Sequence, residues 1–451
     1  MLLITSLASF LTPFMSSSVN VALPAIGREF SVSAVALGWV ATSFLLAAVV
    51  GLVPIGRLAD LRGRRRVFTT GLVVYTAGSF LCALAPSHLV LIAFRVVQGS
   101  GGAMIFGTAT ALLTSTFPAS GRGRALGWNV ASVYTGLSLG PFLGGILTQN
   151  LGWRSLFLTN VPLGVVILSL ALWGMKEEKV EPQGASFDAP GALIYGAGLV
   201  ALMIGFSTLP GPRSLFLFLL LSGIGGLVAF ALRQMRAQSP LLDLRLFLRT
   251  RTLALSNLAA LINYSATAAV GFLLSLYLQY NRLLGPQAAG LVLVTQPVLQ
   301  ALLSPVAGRL SDRVQPRVVA SIGMSMTVVG LALFAFLSAE SPLVLVVLNL
   351  AWLGVSFALF SSPNTNAVMS AVDRRAYGVA AGTLATMRTL GQMFSLGIAM
   401  LLFSVFIGDA AIGPANALRF LMAARAACGI FSALCLVGVF ASRARGNVPN
   451  R

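Results

Sequence analysis

The sequence predicts an all-α membrane protein of about fourteen transmembrane helices, arranged as two six-helix units joined by two extra spans. Three observations carry that prediction. First, 57% of the 451 residues are apolar and only 9% are charged, against roughly a quarter charged in an average soluble domain. So few charges cannot cover a water-exposed surface. Second, the apolar residues fall in runs of about twenty, enough to cross ~30 Å of hydrocarbon at about 1.5 Å per residue. Third, a charged loop after the second run recurs about 252 residues later in an equivalent place, the mark of an internal duplication.

Taken in order, the runs lie near Leu2 to Pro24, Leu37 to Ile55, Val67 to Ala85, Leu89 to Phe117, Ala125 to Leu147 and Leu156 to Trp173. These form the first unit, residues 1–175. A polar stretch from Lys176 to Asp188, with the run KEEKVEPQ, reads as a solvated linker. Two shorter spans follow near Ala192 to Leu209 and Leu215 to Leu232, completing an insert of residues 176–236. The second unit, residues 237–451, holds spans near Leu253 to Tyr280, Ala289 to Val306, Val318 to Leu337, Leu343 to Leu359, Gly378 to Ile407 and Leu418 to Phe440, then a short tail.

The net charge of +19 would suit a nucleic-acid binder, but its placement argues against nucleic acid. If the spans alternate, twenty-two Lys and Arg fall on the face of the N-terminus and six on the other. The positive-inside rule then places both termini in the cytoplasm of a cell-membrane protein. Cys82, Cys428 and Cys435 sit in apolar spans and read as small buried hydrophobes. The N-terminus lacks the basic region of a signal peptide and is expected to be retained.

The recurring loop reads GRLADLRGRRRV from Gly56 and GRLSDRVQPRVV from Gly308. Near the same offset, Arg124-Ala125-Leu126-Gly127 corresponds to Arg375-Ala376-Tyr377-Gly378, and Gly140 to Gly391. Duplicated halves with binding at their interface are the pattern of secondary transporters. The segment from Gly56 to Arg66 resembles, nearly residue for residue, the loop motif of the major facilitator superfamily, and the chain resembles its fourteen-helix drug:proton antiporter branch of multidrug exporters. The resemblance implies the major facilitator fold, working by alternating access. It implies a conformational latch at Gly56, Arg57, Asp60, Gly63 and Arg64, with a weaker copy at Gly308, Arg309 and Asp312. Physically, Gly56 and Gly63 are expected to permit close backbone approach, and Asp60 to gain from the guanidiniums around it.

The fifth span contains Gly136, Gly140, Pro141, Gly144 and Gly145. Small residues every fourth position make a smooth face for another helix, and the proline bends it. The stretch resembles the superfamily's exporter signature. The stretch Trp153 to Gly164 and the end of the first span, Asn20 to Pro24, resemble the same branch. Arg95 to Gly102 resembles a further family pattern; Arg95 and Gln98 are expected to face the cavity, with snorkelling to the surface as the alternative for Arg95. Arg388 near the middle of the thirteenth span is the stronger cavity charge. Asn20, Asn263 and Gln296 are further cavity candidates, each equally suited to bonding between helices.

Met15 departs from the pattern, since the branch usually carries an aspartate there. No other carboxylate maps to a span interior, and the one histidine, His88, lies at a span edge. Proton exchange needs a group that titrates between two exposures; coupling therefore rests on Asp60 or is absent, and substrates are expected to be neutral or anionic. An enzyme would need a nucleophile with its base or a set of metal ligands, which this interior lacks. A channel or receptor does not account for duplicated halves. The expected function is secondary active export of small amphipathic or drug-like compounds, protons being the candidate exchange partner. The alternative is a facilitator or importer of a neutral or anionic metabolite. No cofactor or metal is expected, and a monomer in the lipid bilayer is.

Overall fold

A computed structural model describes residues 1–117, 122–175, 187–209, 211–245, 250–372 and 377–446, with the side chains of 122, 123 and 414 outside that description. Several readings lie outside it: most of the linker from Lys176, the Arg375-Ala376 end of the second loop match, and the tail beyond residue 446.

Fourteen of the described helices are long and apolar enough to cross a membrane. The first six are α1 (Leu2–Phe30), α2 (Ala34–Arg62), α3 (Arg64–Ala83), α4 (His88–Thr116), α5 (Arg122–Leu151) and α6 (Arg154–Gly174). The insert is α7 (Ala189–Ser207) and α8 (Arg213–Arg236). The last six are α9 (Arg251–Asn281), α10 (Pro286–Arg313), α11 (Pro316–Ala335), α12 (Leu343–Ser370), α13 (Tyr377–Phe406) and α14 (Ala417–Arg443). Ser33 and Ser87 cap α2 and α4 by accepting the amide hydrogens of Ala36 and Val90, donors that a helix start otherwise leaves unpaired. Gly63, at φ +96°, ends α2 in a conformation that a side chain would strain.

The same pairing scheme appears twice. In the first unit α1 packs on α5 and α6, α2 on α4, and α3 on α4 and α6; α9 to α14 repeat each pair. Close approaches repeat too. A Cβ on Gly71 would come within 2.5 Å of Met104, and one on Gly323 within 2.7 Å of the Leu359 backbone, so both allow the third and fourth helices of their unit to touch. Gly78 against Gln98 and Gly330 against Leu353 do the same one turn pair further on. Both pairs stand 252 residues apart. The fold is two equivalent six-helix bundles plus two inserted helices.

The bundles meet through α1 with α9, α2 with α13 and α5 with α10. The inserted pair leans on α2 and α13, where Tyr195 donates to the Val49 carbonyl at 3.3 Å. Asp188 caps α7 through the Gly191 amide and accepts from Arg233 Nη2 of α8 at 2.7 Å. The Arg233 guanidinium, followed by the cap and Gln234, holds the Asp188 carboxyl below the usual carboxylate range. Its contribution is present above the unfolded carboxyl value of about 4 and is lost as pH falls through the lowered folded value. Asp188→Ala removes the cap and the anchor together, and is expected to speed amide exchange in the first turn of α7, measured by hydrogen–deuterium exchange. Unchanged exchange there would remove the anchoring role.

Candidate functional site

Among the described residues, the hydrogen bonds between the two bundles gather toward one end, with one more at mid-depth. At the ends of α1 and α9 remote from the Gly56 and Gly308 loops, Pro24 has no amide hydrogen, so the Asn20 carbonyl one turn back lacks its helical donor. Ser275 of the other bundle supplies it, with Oγ donating to that carbonyl at 2.7 Å. Beside it α9 ends in a π turn, Tyr277–Asn281, a local widening common at working sites. The π turn presents Gln279, which donates to the Val21 carbonyl at 2.9 Å. On one flank the α5 glycines make contact possible: a Cβ on Gly145 would lie 2.6 Å from the Pro286 carbonyl oxygen, and Gly290 abuts the Pro141 carbonyl. On the other flank Gly38 leaves room for Met400, and the Ala34 amide donates to Ala410.

Toward the opposite, arginine-rich face such close approaches are absent among the described residues. Gly56 of α2, Gly127 of α5, Gly308 of α10, and Gly378 and Gly382 of α13 have no described atom within 4 Å of where a Cβ would stand. The close glycine approaches between these four helices thus lie at the sealed end. This corrects the expectation for Gly56 as a turn residue: it lies inside α2, which runs on to Arg62, and a Cβ there would meet no described atom within 4 Å. Only Gly63 makes the turn. Asp60 pairs with Arg64 at 2.9 Å, one turn on, and Arg64 Nη1 points to the Ala111 carbonyl at 3.5 Å. In the second copy Asp312 accepts from Asn366 at 3.1 Å. The described partners of both carboxylates thus stay within their own bundle. Arg57 and Arg309 make no ion pair with a described residue, and Arg57 Nε is buried without a partner.

Between seal and opening, a polar and aromatic cluster spans the interface. Tyr134 of α5 hydrogen-bonds Ser361 of α12 at 2.8 Å, joining the bundles at mid-depth. Arg388 of α13, half-buried, donates from Nη2 to Thr365 Oγ1 at 2.5 Å and stands 5.7 Å from the Tyr264 ring centre. Its Nε has no partner. Tyr264 meets Phe357 edge-on at 5.2 Å. Gln296, half-buried on α10, is close to the break at Val294 that divides that helix into Pro286–Leu293 and Thr295–Arg313. The arrangement offers one cation, several hydroxyls and aromatic faces, which suits a flat or anionic molecule. Of the described carboxylates, none lies within the interior of a span.

Arg95, Gln98 and Asn263 are elsewhere. Arg95 is 1% exposed and neither lines the space between bundles nor reaches the surface. It stacks on Phe44 at 4.5 Å, donates to the Val40 carbonyl and to Gln98 Oε1, and Gln98 passes the chain on to Ser79. A charge so enclosed is held by this complete set of partners and by the ring face. Asn263 turns into its own bundle toward Cys435. Asn20 works in the seal through its carbonyl. The fifth-span glycines are placed against two neighbours: Gly136, Gly140 and Gly144 against α1, and Gly145 against α10. The Trp153-Arg154 stretch ties helix ends, as both side chains bond Glu29 and Arg154 also reaches the Ala85 carbonyl. Sequence reading missed Tyr134, Ser361 and Thr365, whose only prior signal was a hydroxyl in an apolar span.

Met15 is fully enclosed, with the Asn160 amide nitrogen 2.8 Å from its sulfur. The position faces α6 within the first bundle, and a weak thioether acceptor stands where a stronger one would fit.

Comparison with known proteins agrees with this geometry. Residues 5–395 match the family model described as Major Facilitator Superfamily. The chain is 31% identical over 411 residues to riboflavin transporter RibZ of Clostridioides difficile (strain 630), covering 90% of this chain and 88% of the relative. It is 34% identical over 407 residues to multidrug resistance protein Stp of Mycobacterium tuberculosis (strain ATCC 25618 / H37Rv), covering 89% and 74%. Among solved structures, a bacterial homolog of the human lysosomal transporter Spinster, inward-facing and occupied, superimposes with TM-score 0.67 at 16% identity, covering 98% of this chain and 95% of that one. Duplicated bundles, a one-ended seal and these relatives together establish that the chain belongs to the Major Facilitator Superfamily, as a membrane transporter related to multidrug resistance and drug-efflux proteins.

Proposed function

We propose that this protein exports small amphipathic or drug-like compounds across the cell membrane by alternating access, with both termini in the cytoplasm. The observation that carries the reading is the α5 glycine face, packed on α1 and touching α10 at the sealed end, while a Cβ on Gly127 near the other end would meet no described atom within 4 Å. A helix so placed is a pivot on which one bundle can rock against the other. The excess of arginine at the open end supports a cytoplasmic opening, and the relatives named as multidrug resistance protein and riboflavin transporter support a small organic substrate.

The interior of the described spans holds no carboxylate, and Arg388 stands at the interface. Both favour neutral or anionic substrates and leave proton coupling to Asp60 or to no group at all. In cells lacking their own exporters, expression is expected to lower accumulation of a substrate several-fold, and Pro141→Leu to abolish that difference. Equal accumulation with and without the mutation would leave export unsupported. Expression that raises accumulation would favour the second reading, uptake of a neutral or anionic metabolite, for which Arg388 is the observation. In proteoliposomes Asp60→Asn is expected to leave no dependence of the transport rate on an imposed pH gradient. Strong gradient-driven export of a quaternary ammonium dye by that variant would refute both the substrate charge and the restriction of coupling to Asp60.

A further inference from the structure

The outer surface of the second bundle carries a groove that lies away from the interface between the bundles. It has a volume of about 510 Å³ and runs along one side of α11, with Trp352 of α12 and Arg443 of α14 completing it. Its lining residues on α11 extend from Arg317 to Val329, twelve residues or about 18 Å of helix. The groove thus starts at the arginine-rich face and ends near the middle of the bilayer.

Its chemistry changes along that length. At the mouth stand Arg317 and Arg443, and neither guanidinium makes an ion pair or hydrogen bond with a described residue. Just below are two hydroxyls. Ser321 donates to Ser442, and Ser325 to the Ser321 carbonyl. Deeper, the walls are Ile322, Met326 and Val329, with the Trp352 ring fixed by its Nε1 donating to the Met326 carbonyl at 2.8 Å. Ile322 and Val329 are about half exposed, on a face of α11 that in a membrane meets lipid.

We infer that this groove is a binding site for one anionic phospholipid, its phosphate between Arg317 and Arg443 and an acyl chain along Ile322 and Val329 toward Trp352. Two unpaired cations at the membrane surface attract an anionic headgroup, and arginine is suited to phosphate oxygens through paired donors. A free anion would use the mouth but not the apolar channel below it. A neutral lipid would use the channel but leave the cations unpaired.

Trp352 reports on the channel directly. The test is quenching of its fluorescence by acyl-brominated phosphatidylglycerol or phosphatidylcholine in detergent-solubilised protein, with Trp352→Phe giving the background of the other tryptophans. Phosphatidylglycerol is expected to quench at concentrations at least ten-fold lower. The pair Arg317→Ala and Arg443→Ala is expected to remove that preference, roughly thirty-fold at about five-fold per arginine. Because neither side chain pairs with a described residue, the alanine pair is expected to leave the fold intact, and Arg317→Lys with Arg443→Lys to retain most of the preference. Equal quenching by the two lipids, or an alanine pair that behaves as wild type, would overturn the inference. So would release of the quenching lipid by millimolar inorganic phosphate, which would make this a free-anion site.

Discussion

Gly145→Val is expected to reduce transport at least ten-fold while leaving the helices folded. The Cβ alone would stand 2.6 Å from the Pro286 carbonyl oxygen, backbone that cannot swing aside as a side chain can. Overpacking at such a contact costs about 1–3 kcal/mol, and here the cost falls on the sealed arrangement and not on either bundle. A bias of that size moves a two-state ratio about 5- to 150-fold. Across the same seam Gln149 Oε1 accepts the Gln287 backbone amide at 3.2 Å, and cysteines at these two positions measure the shift by their crosslinking yield. The yield should fall with transport. Gly225→Val, on α8 with nothing within 4 Å, is the control and should alter neither. If Gly145→Val left yield and rate at wild-type values, the pivot assigned to α5 would be wrong.

The second large effect is at Arg388. Placed eleven residues into α13, roughly 17 Å along it, an arginine would cost about 2.5–3.5 kcal/mol in lipid. The Thr365 hydroxyl and the Tyr264 ring offset part of that cost, and the buried Nε has no partner among the described residues. A charge-assisted hydrogen bond is worth about 1.5–3 kcal/mol, so Arg388→Ala should weaken an anionic substrate roughly 10- to 150-fold. Arg388→Lys keeps the charge without the planar stack and should fall between. A neutral substrate should change less than about three-fold. Equal losses for anionic and neutral substrates, read from transport KM values, would make Arg388 a structural residue.

Most of the architecture was legible in the residues. Apolar runs of about twenty residues mark the spans because a spanning helix must satisfy its own backbone, which leaves length and hydropathy as its only requirements. The paired loops at Gly56 and Gly308, and Gly140 matched by Gly391, expose the duplication, since a close helix approach needs a small residue at the same place in both copies. The α5 motif was legible for the same reason. Side-chain direction was not. Arg95 reads as a cavity charge because insertion cost alone demands a partner, and that demand is met equally by Gln98, Val40 and Phe44 within the bundle. Gly56 reads as a turn residue until the helix is seen to continue to Arg62.

By itself the sequence determined that this chain lives in lipid, how many times it can cross, that its halves are copies, and where its helices can touch closely. These are properties of composition, period and local geometry, each readable within a few turns of helix. Only the tertiary structure decided which end is sealed, that Ser275 completes the carbonyl left open by Pro24, and that Tyr134 meets Ser361 across the interface. Those contacts join residues more than two hundred positions apart. Their geometry depends on how two rigid bundles lean together, which no local pattern encodes.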